Sequence, residues 1–368
     1  MNDRGCFAMT PHEYLVVEVT EACPHACVHC YNFWREDRAP VLSPETLSRK
    51  DIVKLVRKIR KDAPLRVVAL SGGEPLLRPD LGGICTDLVN DGLSVAVITS
   101  GVLLTPARAR QFPAGTTFEI TLFGADAELH DRIVGRAGAF ERVLQGAACA
   151  LEHGHQLVAS VVLNRLNADH TRDALELGIA LGADAFLLNR MNYSKFTLPQ
   201  AGQLGPTVEQ LKGALDAAEA VAVEYGASIS VSVPIPPCVI DLAPYSHLHF
   251  GWCPRGGSQA YYTLSHNGLL RPCNHSSLVL GDLRKQSFEE LVDGHTAAAF
   301  WAPVPSECGA CEHPLRDVCR GGCPAASDEC YGTREQVDPL VQLARQETAL
   351  PCGCFNAVGA AAEIECTG

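Results

Sequence analysis

The chain has 368 residues, 47% of them hydrophobic, a formal net charge of −12 and 17 cysteines. That apolar content suffices for one large core or two smaller ones, and the acidic balance argues against a nucleic-acid partner, because phosphate binding relies on clustered Lys and Arg. No apolar run approaches a membrane span, and the opening residues MNDRGCFAMTPHEY lack the charged-then-apolar order of a secretory signal, so the expected location is cytoplasmic, where thiols stay reduced and cysteines read as metal ligands before disulfides.

In chain order, strand character appears at LVVEV (15–19), RVVAL (66–70), VAVIT (95–99), FEITL (118–122), LVASVVL (157–163) and AFLLN (185–189). Helical patterns separate most of them. The clearest places Ser43 as cap and Pro44 at the first helical position, with Ile52, Leu55, Val56 and Ile59 on one face. Alternating strand and helix units predict parallel strands with right-handed crossovers, as a partial barrel or an open doubly wound sheet. Either arrangement puts chemistry where strands end. At those ends stand Cys23 to Cys30, SGGEP (71–75), TSG (99–101), FGAD (123–126) and Asn164.

CPHACVHC carries Cys23, Cys27 and Cys30, one thiolate short of a closed zinc site. His25 and His29 are candidates to complete it, although each is too near in sequence to wrap the same ion comfortably. A four-iron cluster on three thiolates instead leaves one iron open to an outside ligand. With Tyr31 after the cysteines and GGEP after the next strand, the pattern resembles the radical S-adenosylmethionine (SAM) superfamily. The resemblance implies a partial (β/α)6 TIM-like barrel over residues 10–235. It also implies a [4Fe-4S] cluster whose open iron is chelated by SAM, and one-electron cleavage of SAM to a 5'-deoxyadenosyl radical. Carried over by position, Gly72 and Gly73 let the backbone approach the methionyl amine and Glu74 accepts its hydrogen bond. Ser100 and Asn164 take strand-end positions that contact ribose or carboxylate, and Tyr31 lies against the adenine. His130 and Asp131 are expected to cap or position a helix.

From residue 253 the cysteines crowd: Cys253, Gly268 and Cys273, then Cys308, Cys311, Cys319, Cys323 and Cys330. This resembles the SPASM extension of radical SAM enzymes, which implies a cysteine-rich domain over residues 236–340 with two auxiliary iron-sulfur clusters, followed by a tail at 341–368. By family pattern Cys253, Cys273 and Cys323 hold the first cluster, with Cys238 as its fourth ligand or an iron left open. Cys308, Cys311, Cys319 and Cys330 surround the second. Paired cysteines are also a zinc signature, so a zinc-binding interaction module is the alternative of another class. Cys6, Cys85 and Cys149 read as small buried apolar residues; Cys352 and Cys354 are ambiguous.

TLFGADAELHDRIVGRAGAF (121–140) resembles the peptide-modifying branch of the superfamily. Asn274 stands after Cys273 where sulfatase maturases carry an acidic base, and an amide cannot take a proton at neutral pH. The resemblance therefore implies modification of a ribosomally made precursor peptide, with a small-molecule dehydrogenase as the alternative. The first strand begins by Leu15, which leaves no room for a leader-binding domain and implies a separate leader-binding protein. A flavodoxin or ferredoxin is the implied electron donor.

Overall fold

The computed structural model describes residues 12–32, 42–253 and 261–349; Cys6, Cys352 and Cys354 lie outside them. Six parallel strands appear where alternation predicts them: β1 (Tyr14–Thr20), β2 (Val67–Gly72), β3 (Ser94–Thr99), β4 (Thr117–Thr121), β5 (Gln156–Leu163) and β6 (Ala185–Arg190). They neighbour one another in sequence order, followed by β7 (Ile229–Val231) and β8 (Leu248–Phe250), all parallel. A doubly wound sheet would reverse its strand order at a switch point. The unbroken order is that of a barrel wall, and it resolves the choice left open above.

The sheet crosses the expected domain boundary. β8 falls after residue 235, and the cysteine-rich segment adds β9 (Thr263–Leu264) to the free side of β1, extended by the antiparallel strands β10 (Leu269–Arg271) and β11 (Gly281–Asp282). The helix Pro339–Ala349 opens what was expected to be a tail.

Parallel strands covered on both faces usually read as continuous apolar runs. Here β3, β4 and β6 alternate instead. Val95, Val97, Phe118, Ile120, Phe186 and Leu188 are buried under the helices, whereas Ile98, Glu119, Thr121, Leu187 and Asn189 face a cavity inside the barrel. Cys85 and Cys149 belong to the buried layer, as expected of small apolar side chains.

The first long helix runs Arg49–Asp62 and buries Ile52, Val53, Leu55, Val56 and Ile59. Its cap is Ser48, whose side chain accepts from the Asp51 amide, and not Ser43. Ser43 and Pro44 form a turn instead, closed by the Thr46 amide on the Ser43 carbonyl at 3.1 Å. Both serines suit a cap chemically, but only Ser48 directly precedes the amphipathic periodicity.

Two buried ion pairs join the cysteine-rich segment to the barrel. Glu18 of β1 and Arg271 of β10 pair with side chains 2% and 1% exposed. Arg271 also donates to Ser265 Oγ at 2.8 Å and the Ser276 carbonyl at 2.6 Å. Burial pushes the Glu18 carboxyl upward while Arg271 opposes it. Arg190, at the end of β6, donates to Asp338 at 2.5 Å, with the two side chains 1% and 0% exposed. Removing one member of such a pair typically costs about 3–5 kcal/mol, because the survivor is left charged and buried.

Glu119 faces the cavity with no such cation among the described residues. Burial raises its carboxyl to about 7, against an opposing hydrogen bond from Ser160. A folded-state value above the ordinary one favours the protonated folded form, so this contribution to stability is present in acid and lost as pH rises through about 7. Thermal unfolding between pH 5 and 8 is therefore expected to show a steeper loss of Tm for the wild type than for Glu119→Gln. Parallel profiles would contradict the assignment.

Candidate active site

The site begins with one tight crossing of backbone. β1 delivers the cysteine loop at Thr20, whose Oγ1 accepts from the Ala22 amide at 3.0 Å. β2 delivers SGGEP beside it: the Gly73 amide donates to the Thr20 carbonyl and the Glu74 amide to the Ala22 carbonyl, each at 2.8 Å. A Cβ on Gly72 would lie 2.1 Å from the Thr20 oxygen, and one on Gly73 would lie 2.2 Å from the Ala22 oxygen. Gly72 also has φ +125°, which side chains avoid. The glycines thus admit the protein's own backbone, and both also line the cavity. Arg78 braces the same crossing, donating to the Val19 and Leu47 carbonyls at 2.9 and 2.8 Å.

The far side of the cysteine loop is held by the segment 121–140. The Ala26 and Val28 amides donate to the Val134 and Ile133 carbonyls, both at 3.0 Å, at the C-terminal end of the helix Ala127–Val134, where carbonyls lack partners within the helix. Asp131 accepts from the Gly138 and Phe140 amides at 2.5 and 2.9 Å, at the start of the helix Ala139–Glu152. His130 packs against Phe123 and Phe140 at 5.4 and 5.5 Å. Burial lowers its imidazole to about 4, so it is neutral near pH 7. Asp131 is thus taken up by two backbone amides at a helix start, while His130 reaches the cavity wall.

Cys23, Cys27 and Cys30 are half-buried and face a cavity of about 1150 Å³ together with Tyr31, Gly72, Gly73, Glu74 and Ser100. Glu74 is 1% exposed. Its Oε1 accepts from the Leu76 amide at 3.0 Å and Thr99 Oγ1 at 2.5 Å, and its Oε2 from the Ser100 amide at 2.9 Å and Ser100 Oγ at 2.5 Å. Four donors fill the acceptor capacity of a carboxylate. An amine reaching Glu74 thus displaces a hydroxyl, and those of Thr99 and Ser100 both belong to residues of the cavity wall.

Two expected positions differ. Asn164 is 0% exposed and is turned into its own loop: its Oδ1 accepts from the Leu166 amide at 2.9 Å and its amide donates to Asn167 Oδ1 at 2.8 Å. It does not line the cavity, because the short amide side chain closes an Asx-type turn instead. Tyr31 lines the cavity, but its ring stands edge-on to His275 at 4.3 Å and its hydroxyl accepts from Asn274 Nδ2 at 2.9 Å. The residue expected on the adenine thus also makes a contact with the cysteine-rich segment. The same bond occupies Asn274, which offers no base.

Among the later cysteines, the closest neighbours include pairs beyond those of the family pattern. Cys253, Cys273 and Cys323 line the cavity, and Cys273 lies within electrostatic reach of the other two. Cys330 lies within electrostatic reach of Cys323, because the helix Pro324–Tyr331 that Cys323 caps returns Cys330 toward the same side. Cys238, expected with the first group, lies beside Cys319 and Cys308. The loop after β7 carries it there. Cys308 and Cys311 share a turn, and the Cys308 sulfur lies 3.3 Å from where a Cβ on Gly321 would be. Among the described residues no three His, Cys, Asp or Glu side chains converge on a single-ion site. Cysteine thiolates are the ligands of iron-sulfur clusters, and the cysteines that line the cavity supply that donor type.

Arg190, Asn192, Glu119 and Asp338 were missed. Arg190 and Asn192 do stand at the end of a predicted strand, where the rule for chemistry could have flagged them.

Residues 17–178 match the model described as the Radical SAM superfamily. The PqqA peptide cyclase of Methylocella silvestris is 28% identical over 342 residues, spanning 89% of this chain and 87% of its own; that of Bradyrhizobium diazoefficiens is 26% identical over 343 residues, spanning 89% and 86%. Among solved structures, Streptococcus suis SuiB bound to S-adenosylmethionine superposes with a TM-score of 0.69 at 15% identity, over 90% of this chain and 77% of that one. Native anSMEcpe with bound AdoMet superposes at 0.67 and 16%, over 90% and 95%. Residues 17–178 are a radical SAM domain.

Proposed function

We propose that this enzyme modifies a ribosomally made precursor peptide, forming a crosslink or thioether or oxidising it. The observation that carries the reading is the extent of its likeness to the PqqA peptide cyclases, which runs through the barrel and the cysteine-rich segment alike over 342 residues. The cavity supports it. Cys23, Cys27 and Cys30 line the same cavity of about 1150 Å³ as Cys253, Cys273 and Cys323, so a peptide residue held there shares one chamber with both groups.

In this reading Cys23, Cys27 and Cys30 hold the [4Fe-4S] cluster that, when bound, supplies the electron for SAM cleavage. Gly72 and Gly73 hold the cysteine loop against SGGEP, while Glu74, oriented by Thr99 and Ser100, receives the positive end of SAM. Cys253, Cys273, Cys323 and Cys330 hold one auxiliary cluster and Cys238, Cys308, Cys311 and Cys319 the other. A separate leader-binding protein orders the peptide, lowering the entropic cost of docking it in the cleft, and a flavodoxin or ferredoxin delivers electrons.

Two outcomes are expected. Incubated anaerobically with reductant, SAM, and the products of short open reading frames near the gene, the enzyme should change the mass of one peptide. Stoichiometric oxidation of a sugar or polyol with no peptide change would favour a dehydrogenase. In iron analysis of the reconstituted protein, Cys238→Ala and Cys330→Ala should disturb different auxiliary clusters, each losing up to roughly four irons. Spectra in which both substitutions affect the same cluster would contradict the grouping.

A further inference from the structure

Asn192 follows β6 on the barrel rim, lines the cavity and is 4% exposed. Its Nδ2 donates to the Cys323 sulfur at 3.9 Å, within reach for the large sulfur acceptor. Its Oδ1 is buried and has no hydrogen-bond partner among the described residues. An orphaned amide oxygen carries a desolvation cost that an apolar side chain of similar size would avoid, so the use of an amide here lies in its N–H. The backbone of Cys323 is fixed separately: its amide donates to Asp338 Oδ2 at 2.8 Å, and Asp338 is paired with Arg190. Two residues at the end of one barrel strand thus reach the same cysteine, Arg190 through Asp338 to its backbone and Asn192 directly to its sulfur.

We propose that Asn192 is a positioning residue that tunes the auxiliary cluster held by Cys323, raising its reduction potential through the N–H···S hydrogen bond. The inference rests on the reading above that Cys323 is a cluster ligand. Hydrogen bonds to cluster sulfurs and outer partners of metal ligands set potentials. Reduction adds negative charge that the sulfurs share, and a donor dipole aimed at one of them stabilises the reduced form more than the oxidised form.

An EPR-monitored redox titration of the fully loaded enzyme tests it, with Asn192→Leu to remove the donor and the near-isosteric Asn192→Asp to replace it with a carboxylate. Both variants should keep the wild-type iron content and shift the midpoint of one cluster to more negative values, the Asp variant further, with the other midpoints unchanged. Unchanged midpoints in both variants, while Cys323→Ser loses one cluster, would overturn the role of Asn192 and leave the ligand reading standing. Loss of iron from both Asn192 variants would also overturn it, since the residue would then serve assembly. Full iron content in Cys323→Ser would overturn the ligand reading itself.

Discussion

The structure depends on a place where no side chain fits. At Gly72 and Gly73 the backbone of SGGEP runs against the carbonyls of Thr20 and Ala22, and added Cβ atoms would stand 2.1 and 2.2 Å from those oxygens, far inside contact distance. Everything at the rim follows from that approach. It sets where the cysteine loop begins and brings Glu74 beneath Thr99 and Ser100. It also lets the opposite flank of the loop reach the carbonyl end of the helix Ala127–Val134. The loop is thus held from two sides by backbone hydrogen bonds, leaving its sulfurs to face the cavity.

The second half of the molecule is anchored to this frame by charge. Burying an ion pair brings little net stability over an apolar contact, yet breaking one is costly, which suits a joint that must keep one geometry. Glu18–Arg271 ties the β9–β10 hairpin to β1, and Arg190–Asp338 ties the Cys323 turn to β6. The cavity between the two cysteine groups owes its shape to these joints, and Tyr31 against Asn274 and His275 closes the seam.

Much of this was legible in the residues. Six strands match alternating or apolar runs to within two residues, because each side chain has a fixed face and a parallel sheet tolerates few exceptions. The cysteine loop and GGEP were found together because both lie at strand ends. Other features were not legible. β7 and β8 have three residues each, too few to establish a period. Asn164 has the residue type of a ligand contact, but its short side chain bonds locally. The grouping of Cys238 and Cys330 depends on how a loop and a helix return in space, which spacing along the chain does not encode. Asp338 carries no local sequence signal, since its use is to hold Cys323, fifteen residues earlier, from behind.

Placing the cysteine loop and SGGEP in one site commits this account to a common chemistry for both. The most direct test is the reductive formation of 5'-deoxyadenosine from SAM by the anaerobically reconstituted enzyme, compared with a variant in which Cys23, Cys27 and Cys30 are all Ala. The account predicts turnover by the wild type and none by the variant, which should remain folded and retain the irons of its C-terminal cysteines. Cleavage of SAM by the triple variant at the wild-type rate would contradict it.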